Sequence, residues 1–98
     1  MDVSSNPWIV NASDVAIGTI TVPLIVWQGK ALITNIEFIQ YVASTDTATI
    51  NQANGKFFAF LQGASDLELV RTGNLRHTDG ISVPVGGITN GRVAIYHV

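Results

Sequence analysis

The 98-residue sequence predicts an all-β domain, an antiparallel β-sandwich of about eight short strands, jelly-roll-like and without a helix. Two observations point there first. Apolar and polar residues alternate with a period of two in most segments, and none carries the three-to-four spacing of a helix face. Turn-forming residues recur at intervals of about 8–12, the rhythm of a sandwich or barrel. A third observation concerns the surface: 47% of the chain is hydrophobic and only 12% is charged, against about 25% in an ordinary soluble domain. Such a chain has few groups with which to blunt its sheet edges. Much of its outer face is therefore expected to lie against another copy or another protein.

The elements follow in order. Residues 1–12 read as an N-terminal arm and 13–98 as a single β-sandwich domain. In the arm, Asn6-Pro7 starts an extended segment that continues as Trp8-Ile9-Val10. Val15 to Trp27 alternates, with Pro23 placing its second half at an edge or bulge. Gln28-Gly29-Lys30 is predicted to turn the chain. Leu32 to Val42 is the longest β-branched and aromatic run, and its parity switches at Ile39 and Tyr41, which predicts a bulge or a strand end. Asn54-Gly55 lies between Thr47–Asn51 and Lys56–Leu61 and predicts a two-residue hairpin, with Asp46–Gln52 against Lys56–Gln62.

A short strand is expected over Leu67–Val70, then a polar loop, Leu75–Gly80, then a strand from Ile81 to Val85 that Gly86-Gly87 breaks. Asn90-Gly91 repeats the hairpin chemistry before Val93 and Ile95, with Arg92, Ala94 and Tyr96 outward. Ile36, Phe38, Ile50, Phe58, Phe60, Ile81, Val83, Val93 and Ile95 form the expected core.

Several function classes are disfavoured. With no cysteine there is neither a disulfide framework nor a thiolate metal site. Five basic residues, Lys30, Lys56, Arg71, Arg76 and Arg92, are scattered and not clustered along a phosphate track, so no nucleic-acid partner is expected. Val15–Gln28, the longest uncharged stretch, falls short of the roughly 20 apolar residues of a membrane span. The first residues lack the basic start and apolar run of a signal peptide, so synthesis in a cytoplasm is expected.

Candidate chemistry is sparse. His97 is penultimate in the sequence, and His77 sits in the predicted polar loop. His77 and Asp79, with Asp66 or Glu68, have no recognised ligand spacing, and a solvated loop explains the same residues. Glu37, Asp66, Glu68 and Asp79 could supply a carboxylate pair for glycoside hydrolysis, but nothing brings two of them together. The Gly-rich turns are followed by no helix that would complete a phosphate cradle. Asn11-Ala12-Ser13 is a glycosylation sequon without a secretion signal. No catalytic residue, metal or cofactor is predicted, and the chain is read as non-enzymatic.

The aromatic residues carry the remaining options. Trp8, Trp27, Tyr41 and Tyr96 could line a sugar-stacking face, or the tryptophans could plug the core or anchor a neighbour. With Phe58 and Phe60 inward, strand parity leaves Phe57, Ala59 and Leu61 outward. Trp8, Ile9, Val10, Phe57 and Leu61 are thus the candidate interface residues, the first three on an arm that docks on a neighbour.

The run Ile33-Thr34-Asn35-Ile36, then Asp46-Thr47-Ala48-Thr49-Ile50, Ala53-Asn54-Gly55-Lys56, Asp79-Gly80-Ile81 and Gly91-Arg92-Val93-Ala94-Ile95-Tyr96 resembles small virion proteins of tailed bacteriophages. The resemblance covers Leu32 to the last residue. The sequence departs from the pattern at Gln52, where an acidic residue is common, and in a longer N-terminal segment. The resemblance implies a virion structural role with no catalytic residues to carry over. The expected function is that of a capsid decoration protein, packed against a major capsid protein and against copies of itself as a homo-oligomer, for example a trimer. Alternatives are a tail or neck accessory and a carbohydrate- or receptor-binding module.

Overall fold

A computed structural model describes residues 1–65, 69–73 and 76–98. The described residues form seven antiparallel strands: β1 (Trp8–Asn11), β2 (Leu24–Ile39), β3 (Thr47–Asn51), β4 (Phe57–Gln62), β5 (Leu69–Arg71), β6 (Arg76–Val83) and β7 (Arg92–His97). One 3-10 turn, Ala12–Asp14, is the only helical element among the described residues. The all-β antiparallel class is as the sequence predicts. The strands join one hydrogen-bonded sheet in the order β1-β7-β2-β6-β3-β4, with β5 also on β2.

β2 is the spine of this sheet. Its β-branched and aromatic residues favour extended backbone, and it runs through Gln28-Gly29-Lys30, where a turn was expected. Gly29 has φ of 95°, and the pairing with β6 slips between Trp27 and Lys30. The glycine thus absorbs a bulge that bends the strand without ending it. β6 holds both sides of that bulge through Trp27↔Ile81 and Lys30↔Asp79, so the expected polar loop at Arg76–Gly80 is strand instead. The first half of the predicted Val15–Trp27 strand is not strand; turns carry the chain to Leu24.

Beyond Ile33, β2 pairs on one edge with β7, through Ile36↔Ile95 and Phe38↔Val93, and on the other with β5, through Phe38↔Val70. Between β5 and β6, Thr72 N–H donates to Ile36 O at 3.0 Å, and Ile36 N–H donates to Thr72 Oγ1 at 3.1 Å. The strand ends at Gln40, whose φ is 59°, which explains the parity switch at Tyr41.

Side chains from both ends of the sheet, Trp8 and Val10 of β1 and Phe58 and Leu61 of β4, belong to one apolar cluster with Ile36, Phe38, Ile50, Ile81 and Ile95. The sheet therefore curls over itself. Eight of the nine expected core residues are buried, and Phe60 is not: it is 51% exposed, whereas Leu61 is 5% exposed. The reason is a bulge. Ile50 faces Ala59 but Asn51 faces Phe57, which leaves Phe58 as an extra residue on β4. One inserted residue reverses the facing of everything beyond it. Phe58 and Ala59 are both buried, Leu61 turns inward and Phe60 outward. Ala94, expected outward, is also buried, because β7 is a central strand between β1 and β2.

Two further expectations change. Trp8, Ile9 and Val10 are not on a free arm. They form β1 and pair with β7 through Trp8↔Ile95 and Val10↔Val93, and Asp2 folds back to exchange two backbone hydrogen bonds with Ile9 at 2.7 and 2.8 Å. The hairpin at Asn54-Gly55 is present, but its loop has three residues. Gln52 N–H donates to Lys56 O at 2.7 Å, Gly55 N–H donates to Gln52 O at 2.9 Å, and only Gly55 has positive φ, 89°. A one-residue αL position suits a bulged three-residue loop better than the expected two-residue turn.

Asn90-Gly91 makes no hairpin at all, since β6 and β7 are not sheet neighbours. Gly91 has φ of 79° because its Cα abuts the backbone of Ile39–Tyr41, where a Cβ would collide with Ile39 O and Tyr41 N.

These placements fix two expected outcomes. Phe38→Ala empties a fully buried site and should cost about 3–5 kcal/mol in chemical denaturation. Phe60→Ala should stay within about 0.5 kcal/mol of wild type; equal losses would contradict the bulge. Gly55→Ala, with open space around it, should cost about 1 kcal/mol from its φ alone. Gly91→Ala should cost clearly more, because main chain has to shift as well.

Candidate functional site

β4 is an edge strand. Among the described residues it hydrogen-bonds to β3 alone. Its sequence, Phe57-Phe58-Ala59-Phe60-Leu61-Gln62, contains no charge and no proline, two of the features by which edges are ordinarily protected. The Phe58 bulge presents Phe57 (61% exposed) and Phe60 (51% exposed) to solvent. These two rings, with Phe58, Ile33, Ile36 and Arg76, line a cleft of about 340 Å³. The Arg76 guanidinium lies 4.1 Å from the centroid of the Phe58 ring, a cation–π contact that covers the phenyl face. The predicted Phe57–Leu61 patch is thus corrected to Phe57 and Phe60, with Leu61 in the core.

At another end of the sheet, Asp46 gathers three segments. Its Oδ2 accepts N–H bonds from Val42 at 2.7 Å and Ala43 at 2.9 Å. Its Oδ1 accepts from Thr89 Oγ1 and Asn90 Nδ2, both at 3.0 Å. Its own N–H donates to Ala43 O, and its carbonyl accepts from Gly63 N–H. The Asn90 amide first, then the Ala43 and Val42 N–H groups, stabilise the carboxylate and lower its pKa from 3.8 to about 2. This hub links the β2–β3 and β6–β7 connections and leaves neither carboxylate oxygen free to act on a substrate. Sequence reading passed over it, since Thr89 and Asn90 lie more than 40 positions away.

The aromatic candidates do not share a face. Trp8 is 2% exposed, stacked between Trp27 at 4.8 Å and His97 at 4.1 Å, centroid to centroid. Asn6 supports this stack by bonding the His97 backbone twice, Nδ2 to O at 2.6 Å and Oδ1 from N–H at 3.1 Å. Tyr41 packs on Phe38 at 5.1 Å, and its hydroxyl donates to Ala64 O at 3.2 Å. Tyr96 hydrogen-bonds to Glu37, which raises the phenol pKa. Trp27, 39% exposed, is the most exposed member of the stack, with His97 half-buried. Of the expected interface set, Trp8 and Val10 are core, Ile9 is half-buried in β1, Leu61 is core and Phe57 is exposed.

The polar candidates are dispersed. His77 and Asp79 lie on one face of β6 opposite Leu32 and Lys30. Glu37, seven residues along β2 from Lys30, is roughly 20 Å away along the strand. Asp66 and Glu68 lie outside the described residues. Among the described residues no three His, Cys, Asp or Glu side chains group closely enough to hold a metal ion, and no helix is long and apolar enough to cross a membrane. Asn11 of the sequon donates from Nδ2 to Asp14 Oδ2 at 3.3 Å. Comparison with protein-family models, curated proteins and solved structures finds no match for the chain.

The Asp46 hub predicts an acid-sensitive fold. A carboxyl whose pKa is depressed on folding contributes stability above its unfolded value, and that contribution is lost as pH falls through the folded one. Asp46→Asn should therefore melt below wild type at neutral pH. The gap between the two melting temperatures should close as pH falls from about 4 to about 2. A gap that stays constant across this range would assign the loss to geometry instead of charge.

Proposed function

We propose that this chain is a non-enzymatic structural subunit, and that its setting is the virion of a tailed bacteriophage. There it acts as a capsid decoration protein, packing against a major capsid protein and against copies of itself. The observation that carries the reading is β4: a six-residue, uncharged edge strand with Phe57 and Phe60 exposed on it. An edge of this kind invites pairing with another chain, and a lone soluble monomer gains nothing by leaving it unprotected. The low charge of the whole chain, 12%, and the resemblance of Leu32 onward to small phage virion proteins support the same reading. The phenylalanine pair supplies an apolar centre of the kind that dominates protein interfaces.

The test is co-sedimentation with assembled phage shells lacking their decoration, alongside light scattering of the free protein. Full-length protein should associate with the shells, with itself, or both. Phe57→Asp with Phe60→Asp should melt close to wild type, because both rings are exposed, yet lose that association. A free protein that is monomeric and stays in the supernatant would overturn the reading. So would a double variant that associates as wild type does.

A further inference from the structure

We infer that Asn54 is a site of spontaneous covalent modification in the folded protein, and that Asn90, in the same Asn-Gly dipeptide, is shielded from it by Asp46. In an Asn-Gly pair the glycine N–H loses its proton, and the nitrogen attacks the asparagine Cγ. The N–Cγ bond forms, the Cγ–Nδ2 bond breaks and ammonia leaves, giving a five-membered succinimide. Water then opens either ring carbonyl, yielding aspartate or isoaspartate. One water is consumed, one ammonia is released, and no oxidant or reductant is involved. The chemistry needs a side chain free to rotate onto the next nitrogen and a backbone free to follow.

The two sites differ in both respects. Asn54 sits at the tip of the β3–β4 loop, exposed, with no neighbouring atom within 4 Å of where a Cβ on Gly55 would lie. Its restraints are local: Oδ1 accepts from Lys56 N–H at 3.0 Å, and Gly55 N–H donates to Gln52 O at 2.9 Å. Both can break without disturbing the core, since loop tips open at little free-energy cost.

Asn90 is exposed too, but its leaving amide nitrogen is held by Asp46 Oδ1 at 3.0 Å. Gly91 O accepts from Ala12 N–H at 2.9 Å, and the Gly91 Cα lies against the backbone of Ile39–Tyr41. Cyclisation there requires the β6–β7 connection to leave Asp46, β2 and the 3-10 turn together. At Asn54 the product adds one negative charge beside Lys56 to a chain of formal charge −2. The isoaspartyl form also lengthens the main chain of a three-residue loop.

The experiment ages the full-length protein in mildly alkaline buffer and follows both sites by peptide mapping with mass spectrometry. A parallel sample is held in concentrated urea. In buffer, conversion at Asn54 should be at least about tenfold faster than at Asn90, reflecting the difference in local opening. In urea the two rates should converge, since the neighbouring glycine is then the same determinant at both. Asp46→Asn, where it folds, should speed conversion at Asn90 and leave Asn54 unchanged. Equal rates in buffer, faster conversion at Asn90, or a difference that persists undiminished in urea would overturn the inference.

Discussion

The length of β2 is the constraint on which the rest of the structure depends. Sixteen residues of extended chain would span about 50 Å if straight, while the longest dimension of the molecule is 34 Å. The strand has to bend, and Gly29 is where the backbone allows it. The one strand serves two groups of neighbours: β6 from Leu24 to Ile33, on both sides of the Gly29 bulge, and β7 and β5 beyond Ile33. A single sheet built on such a spine curls, so that β1 and β4 at its two ends contribute to the same core. Core and curvature thus have one cause.

The sequence shows the class of fold, the identity of most core residues and the β3–β4 hairpin, because these rest on period-two alternation and on Asn-Gly. It misleads wherever a single inserted residue resets the count. Gly29 reads as a turn because glycine between polar neighbours signals one, and only the tertiary partner β6 shows that the strand continues. Phe60 and Leu61 exchange faces because of one bulge residue, Phe58, which no alternation rule locates. Trp8-Ile9-Val10 reads as an arm because a four-residue strand at a sheet edge has too few residues to display its partner. Of the candidate interface, Phe57 alone keeps its expected exposure.

Side chains take over backbone duties at several points, which compensates for the short strands. The Asp46 carboxylate ties together two connections, β2–β3 and β6–β7. Asn6 meets the His97 amide and carbonyl as a paired strand residue would. Thr72 does the same for Ile36 between β5 and β6. A carboxylate or amide can satisfy two or more backbone groups where chain direction prevents a ladder. With so few charged residues in the chain, Asp46 carries a structural role that ordinary surface charges do not, and its pKa of about 2 records that role.

The two outer strands show what the low charge does to the surface. β1 has its outer edge engaged by its own chain, through the Asp2–Ile9 backbone pair. β4 has no such cover among the described residues, and the bulge that sends Leu61 inward is the same one that sends Phe60 outward. The exposed phenylalanines are thus a direct consequence of register, with no polar residue substituted to offset them. Natural sheets usually place lysine, proline or a twisted bulge at such an edge to prevent pairing. Here the bulge has the opposite effect, enlarging the apolar face that the edge presents. That asymmetry, one edge closed and one open and aromatic, gives the proposed assembly a direction, with partners entering along β4.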